Sequence, residues 1–362
     1  MSPNDTALTR RNLLSTIPAA VISGGCTRRS DEQSSEFEPD YDRLRWEYGT
    51  DDRVTSSPIS KDGQLYVGSH DRCLRSLDAA TGSLQWKFEV GGSIWSDPAI
   101  SEDTIYIGSR DHNLYAIDTS GREQWRFQTD DTITSSPTIH NGIVYIGSSD
   151  ENVYAVDATS GTQQWVQPTQ GRVIAKPAVD NGVIFIGSTD GSLYALDANS
   201  GGIEWKYSTN GPIFTKAEIV NDLVLLGSRD GNFYALDSRD GYEVWSYNTG
   251  NSITGPPRVS EDTVYFGTTD VPAFYAVNAK TGDKYWKSDA IEGHIDSRPA
   301  VTDGYVYIGA SRGYLHVLNA ETGDQNWAFQ TANKIGSSPV VTDTTVYVGS
   351  NDTYIYAIKR EE

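Results

Sequence analysis

Thr104-Ile105-Tyr106-Ile107-Gly108-Ser109-Arg110-Asp111 is followed two residues later by Leu114-Tyr115-Ala116-Ile117-Asp118, and then by Gly121 and Trp125. Short runs of β-branched and aromatic residues, bounded by Gly, Ser and Asp, read as strands joined by tight turns. The pattern returns along the chain. Its Gly-Ser-x-Asp marker stands at Gly68 to Asp71, Gly108 to Asp111, Gly147 to Asp150, Gly187 to Asp190, Gly227 to Asp230 and Gly349 to Asp352. A variant stands at Gly267 to Asp270, and a degenerate copy at Gly309 to Arg312. Successive marker glycines lie 40, 39, 40, 40, 40, 42 and 40 residues apart. A fixed period of this size marks a repeat architecture, each copy being one supersecondary unit.

Within each copy an apolar strand precedes the marker and a second strand follows it. A Gly turn then leads, three residues later, to a Trp: Gly82 to Trp86, Gly161 to Trp165, Gly201 to Trp205, Gly241 to Trp245, Gly282 to Trp286 and Gly323 to Trp327. A third strand opens after Ile/Val-x-Ser-Ser-Pro or a relative of it, as at Val54 to Pro58 and Ile335 to Pro339. Four short strands with turns between them make one antiparallel propeller blade. The eighth copy lacks its Gly-x-x-x-Trp strand, while the repeats begin with an unmatched Trp strand, Leu44 to Tyr48. The sequence therefore predicts an all-β, eight-bladed β-propeller of four-stranded blades over residues 44–362. N- and C-terminal strands pair in one sheet, closing the ring and removing its exposed edges. Eight of the nine Trp residues become packing elements of blades.

Composition narrows the function classes. The 362 residues carry 49 Asp and Glu against 29 Lys and Arg, a formal net charge of −20. Nucleic-acid binding rests on clustered cations, so that class is excluded. The acidic, Lys-poor balance resembles that of proteins from salt-loving archaea, where salt screens the self-repulsion. Of the two cysteines, Cys26 and Cys73, neither has a partner at metal-ligand spacing, and Cys73 reads as a packed, inert thiol. The five histidines show no ligand spacing either, so no metal site is expected.

Residues 1–26 read as an export signal. Arg10-Arg11 resembles the twin-arginine (Tat) motif, and the apolar stretch from Leu13 to Gly25 has thirteen residues, short of the ~20 that span a bilayer as a helix. Ser23-Gly24-Gly25-Cys26 resembles a lipobox, with Ser23 where Leu is usual. The expectation is an exported protein held at the outer face of the cytoplasmic membrane by lipid on Cys26 alone. Residues 27–43, rich in Ser, Asp and Glu, read as a solvated tether.

The repeated Ala-x-Asp-x-x-Thr/Ser-Gly-x-x-x-Trp, carried by Ala116, Asp118, Gly121 and Trp125 and by their equivalents from Ala155 and Ala195, resembles the docking motif of the pyrroloquinoline quinone (PQQ) enzyme repeat. The same repeat occurs in non-enzymatic propellers, including the lipoprotein subunit of the bacterial outer-membrane barrel assembly machine. The resemblance implies the fold strongly and the chemistry weakly. In family enzymes it implies quinone and calcium, with a catalytic Asp and often a vicinal Cys pair on long insertions. This chain has no Cys-Cys and no insertion beyond a couple of residues.

In a ring of repeats, function is sought where copies disagree. Before the repeated Pro four blades carry Ser-Ser or similar small residues, and the other four carry Trp95 and Asp97, Lys176, Phe214 and Lys216, and Asp296 and Arg298. Meander topology turns these positions toward one rim or the central channel. His294 sits in a segment one residue longer than its counterparts, and Asp270 to Ala273 adds a residue to another rim loop. Lys176, Lys216 and Arg298, joined by Arg110, Arg172, Arg229 and Arg312, make a cationic patch on an anionic protein. With two aromatics it suits an anionic or planar ligand; alternatively, these charges pair across blades and plug the channel. The functional expectation is an extracytoplasmic binding or scaffold module for a protein partner or small anionic ligand. The alternative is a PQQ-dependent dehydrogenase with quinone and calcium in the funnel, for which Asp97 and Asp296 are the available rim carboxylates.

Overall fold

The computed structural model describes residues 40–360. It contains eight four-stranded antiparallel sheets, each a meander ordered by sequence except the last. Blades 1 to 7 span residues 59–89, 99–128, 138–168, 178–208, 218–248, 258–288 and 300–330. Blade 8 takes three strands from residues 340–359 and its outer strand from Leu44–Gly49, which pairs antiparallel with Tyr354–Lys359, Trp46 opposite Ala357. The expected ring closure is thus made. Among the described residues no helix is long and apolar enough to cross a membrane.

The repeated residues explain themselves as blade-to-blade clasps. Each marker glycine ends its strand against the β-branched residue entering the next blade: a Cβ on Gly108 would stand 2.3 Å from Ile133 Cγ2, and one on Gly349 2.4 Å from Val54 Cγ1. Only glycine permits that approach. Each turn glycine lies under the Trp of the blade before it, as Gly121 under Trp86 and Gly161 under Trp125. The indole N–H donates to a carbonyl in that same turn, Trp125 Nε1 to Ala158 O at 3.0 Å. Opposite the Trp stands the small Ala of the motif, Trp125 facing Ala116, beside a recurrent β-bulge. The apolar clusters between sheets accordingly draw residues from two successive blades, for instance Tyr106, Ile133 and Val156.

The marker aspartates hold turns and also bind the linker from the preceding blade. Asp111 Oδ1 accepts from Asn113 N at 3.1 Å, and Oδ2 accepts from Gly91 N at 2.6 Å and Tyr115 Oη at 2.8 Å. Blade 1 replaces that Tyr with Arg75, which bonds Asp71 through both terminal nitrogens in a buried pair.

Residues 40–43, the end of the stretch that reads as a tether, form a 3-10 turn (Tyr41–Arg43) against blade 7. Asp40 N bonds Ala328 O at 2.9 Å, and the Arg43 guanidinium lies 4.5 Å over Trp327. Arg10, Arg11 and Cys26 lie outside the described residues.

Candidate functional site

The segment entering each inner strand and the loop after the marker meet on one face, as Ile94 N bonding Ser69 O at 3.1 Å shows. Side chains alternate along the entry segment, with Ser96, Thr215 and Ser297 buried and the candidates on either side of each sharing the opposite face. The sequence candidates therefore separate into two tiers by position along that face.

Trp95, Phe214, Asp296 and His294 form the rim tier. Trp95 is 43% exposed and stacks on His70, ring centroids 4.8 Å apart, with the Arg110 guanidinium 4.7 Å from its ring. His70 Nε2 is held by Thr55 Oγ1 at 2.8 Å, and burial lowers its pKa. Phe214 has Arg229 5.5 Å above its ring. Asp296 accepts from Lys334 Nζ at 2.6 Å and from Thr254 Oγ1 at 2.7 Å. Burial pushes its carboxyl up, but the bond and charge of Lys334 together with the Thr254 bond outweigh that and hold it below the ordinary value. His294 is exposed and its ring bonds Thr269 O. Arg312 pairs with Glu292 at 2.8 Å on the surface.

Asp97, Lys176, Lys216 and Arg298 form the channel tier, each immediately before the repeated Pro or its Ala217 substitute. Here the ring has two chemical halves. Arg298 N donates to Ser338 Oγ at 3.0 Å, Ser338 N to Ser57 Oγ at 2.8 Å, Ser57 N to Asp97 Oδ1 at 2.6 Å, and Asp97 N to Ser136 Oγ at 2.9 Å. This chain of acceptors runs from blade 7 through blades 8, 1 and 2 to blade 3. It stops where Lys176, Lys216 and Pro256 occupy the position in blades 4 to 6, because none of these side chains can accept. Asp97 is thus an amide acceptor in the ring.

Across the cationic half Arg298 bonds Glu218 at 2.5 Å, spanning from blade 7 to blade 5, and Lys216 Nζ lies 3.5 Å from the same carboxylate. Pairing across blades therefore occurs at Arg298 and Asp296. Two cavities border Lys216: one of about 270 Å³, lined also by Asp180 and Glu218, and one of about 290 Å³, lined by Lys176 and by residues of blades 1 to 3 such as Ile59 and Thr138. Burial pushes the ammonium pKa values of Lys176 and Lys216 down, opposed by Asp97 and Glu218 respectively.

Glu218 and Arg258 escaped the sequence reading, as did His70, Thr254 and Lys334. The first two open their inner strands, where the other blades have Ile59, Ala99, Thr138, Ala178, Ala300 and Val340. The same search for disagreement among copies, extended past the Pro, finds them. Among the described residues no three His, Cys, Asp or Glu side chains converge as a metal site.

Comparison with known proteins places this geometry. The family described as Outer membrane protein assembly factor BamB (PQQ_2) matches residues 21–94, 77–173, 149–274 and 273–362. None of the curated proteins compared is similar enough in sequence to count as a relative. BamB from Moraxella catarrhalis superposes with TM-score 0.77 at 20% identity, covering 87% of this chain and 99% of that one. The computationally designed Ika8 protein gives 0.78 at 16%, covering 86% and 97%. A europium-containing methanol dehydrogenase gives 0.74 at 16%, covering 85% of each chain. These likenesses establish the fold and leave the function to the site.

Proposed function

This chain belongs to the PQQ-repeat propeller family described as outer membrane protein assembly factor BamB, and on that premise we propose that it is a binding or scaffold propeller of the cell envelope. The rim tier would meet a protein partner. The observation that carries this reading is the Trp95 stack: a large aromatic left 43% exposed between His70 and Arg110, where most other blades carry a small residue. Aromatic and Arg side chains held rigid at a surface are the groups that dominate protein interfaces. The export and lipid signals read at Arg10, Arg11 and Cys26 would deliver this surface to the outer face of the cytoplasmic membrane.

The alternative, a quinone dehydrogenase, has support in the fold it shares with the methanol dehydrogenase. Calcium needs six to eight oxygen ligands. Here Asp97, Glu218 and Asp296 are each engaged separately, by Ser57 N, by Arg298 with Lys216, and by Lys334 with Thr254. The residues present do not fit a calcium-held quinone. The test is reconstitution with PQQ and calcium at high salt, followed by alcohol- and sugar-dependent dye reduction. No turnover is expected; turnover above the apoprotein would replace the binding reading with the enzymatic one.

A further inference from the structure

The cationic half of the channel contains more positive charge than its partners balance. Lys176, Lys216, Arg258 and Arg298 face one another across blades 4 to 7, with Glu218 and Asp97 the carboxylates near them. Four cations against two carboxylates leaves an excess of two. Glu218 is committed to Arg298 at 2.5 Å and reaches Lys216 only at 3.5 Å, while Asp97 is bonded to the Ser57 amide. Lys176 makes no ion pair or hydrogen bond among the described residues. Arg258 Nε is buried without a hydrogen-bond partner. Lys176, Lys216 and Arg258 are half-buried, and like charges gathered in a channel repel. On a chain of net charge −20 this excess is not a solubility device.

We propose that the inner channel is a binding site for one small oxyanion of charge minus two, held by Lys176, Lys216 and Arg258. Such a ligand matches the excess charge, and its several oxygens accept from the two ammoniums and the orphan guanidinium N–H. The cavity of about 290 Å³ that Lys176 and Lys216 both line leaves room for it, and Arg258 is close enough to Lys216 to repel its charge. Arg298 stays with Glu218 and forms the wall. The proposal rests on the binding reading of this propeller and names a ligand class for it. Burial lowers the pKa of both lysines, so the bound anion also draws protons onto them at alkaline pH.

The test is calorimetric titration of the full chain with inorganic phosphate and, separately, succinate, at constant ionic strength balanced by KCl. Saturable binding of one or the other at one site per chain is expected, and the arm that binds distinguishes phosphate-type from dicarboxylate-type ligands. Lys216→Met and Arg258→Met should each weaken it at least tenfold while melting at the same temperature as wild type, or higher, without anion. Arg122→Gln, on the outer surface, should bind as wild type. At pH 9, titrations in buffers of different ionisation enthalpy should report proton uptake. Neither anion binding beyond chloride, or undiminished binding by Lys216→Met, would overturn the proposal. Failure here with rim cross-links to a partner intact sinks only the anion site, whereas anion-dependent dye reduction sinks the binding reading itself.

Discussion

The Trp46 indole lies on Gly82, its ring carbon 2.6 Å from where a Gly82 Cβ would stand, although one residue belongs to blade 8 and the other to blade 1. Trp46 Nε1 also donates to Ala79 O at 3.1 Å, and the ring packs 5.9 Å from Tyr347. One side chain thus joins the two ends of the repeat array. Trp46→Ala should lower stability by about 3 kcal/mol, the low end for aromatic truncation because the ring is half-exposed. Gly82→Ala adds a Cβ at φ 71° into the same ring and should also destabilise, by at least 1 kcal/mol. Chemical denaturation checks both, and an unshifted midpoint for Trp46→Ala would contradict the closure.

Arg75 and Asp71 form a buried pair in a place where other blades use Tyr, as Tyr115 Oη bonds Asp111 at 2.8 Å. Arg75→Met leaves Asp71 buried and uncompensated and should cost about 3–5 kcal/mol. Arg75→Tyr supplies the other blades' solution and should cost much less. Burial pushes the Asp71 carboxyl up, but the Arg75 bridge and the Asp51 amide outweigh it and hold the folded pKa below the ordinary value. Its contribution is present above the unfolded carboxyl pKa and is lost as pH falls toward the folded one. Urea midpoints of the two variants at pH 7 and pH 4 test the ranking.

Blade 7 replaces both marker groups, putting Arg312 for Asp and His316 for Tyr. His316 Nδ1 meets Gln325 Oε1 at 2.7 Å, while Nε2 is buried with no partner. Burial lowers its pKa, so the folded protein resists a proton that the unfolded chain accepts near pH 6.5. Stability from this group is full above that pH and falls below it, by at most about 1.4 kcal/mol per pH unit for one proton. His316→Phe should flatten the melting temperature between pH 7 and 5 relative to wild type. An identical pH slope would contradict the assignment.

Anchoring is tested at Cys26, whose Ser23-Gly24-Gly25-Cys26 context resembles a lipobox. Cys26→Ser should move the protein from the membrane fraction to the medium. Unchanged membrane association would refute lipid attachment at that residue.

The fold was legible because each blade repeats the constraints that make it. The small residue opposite nearly every Trp, the glycine beneath all but Trp327 and the marker glycine against Ile or Val each leave a trace at fixed spacing, so Trp46 is placed in blade 8 by the sequence alone. The site was less legible because pairing there joins non-adjacent blades. Nothing local in the sequence links Arg298 to Glu218, eighty residues apart. Nor does it show that Asp97 serves the amide of Ser57 in the blade before it. Rim and channel candidates stand two residues apart on one face, and only their position along the entry segment separates Trp95 from Asp97. Arg258 was overlooked because it follows the repeated Pro.

The binding account is tested most directly by photo-cross-linking in the native cell envelope. Benzoylphenylalanine would replace Trp95 or Phe214 on the rim, or Gln124, exposed on the outer strand of blade 2. Positions 95 and 214 should give one discrete heavier adduct and position 124 none. No adduct from the rim, or the same adduct from all three positions, would contradict a partner-binding rim.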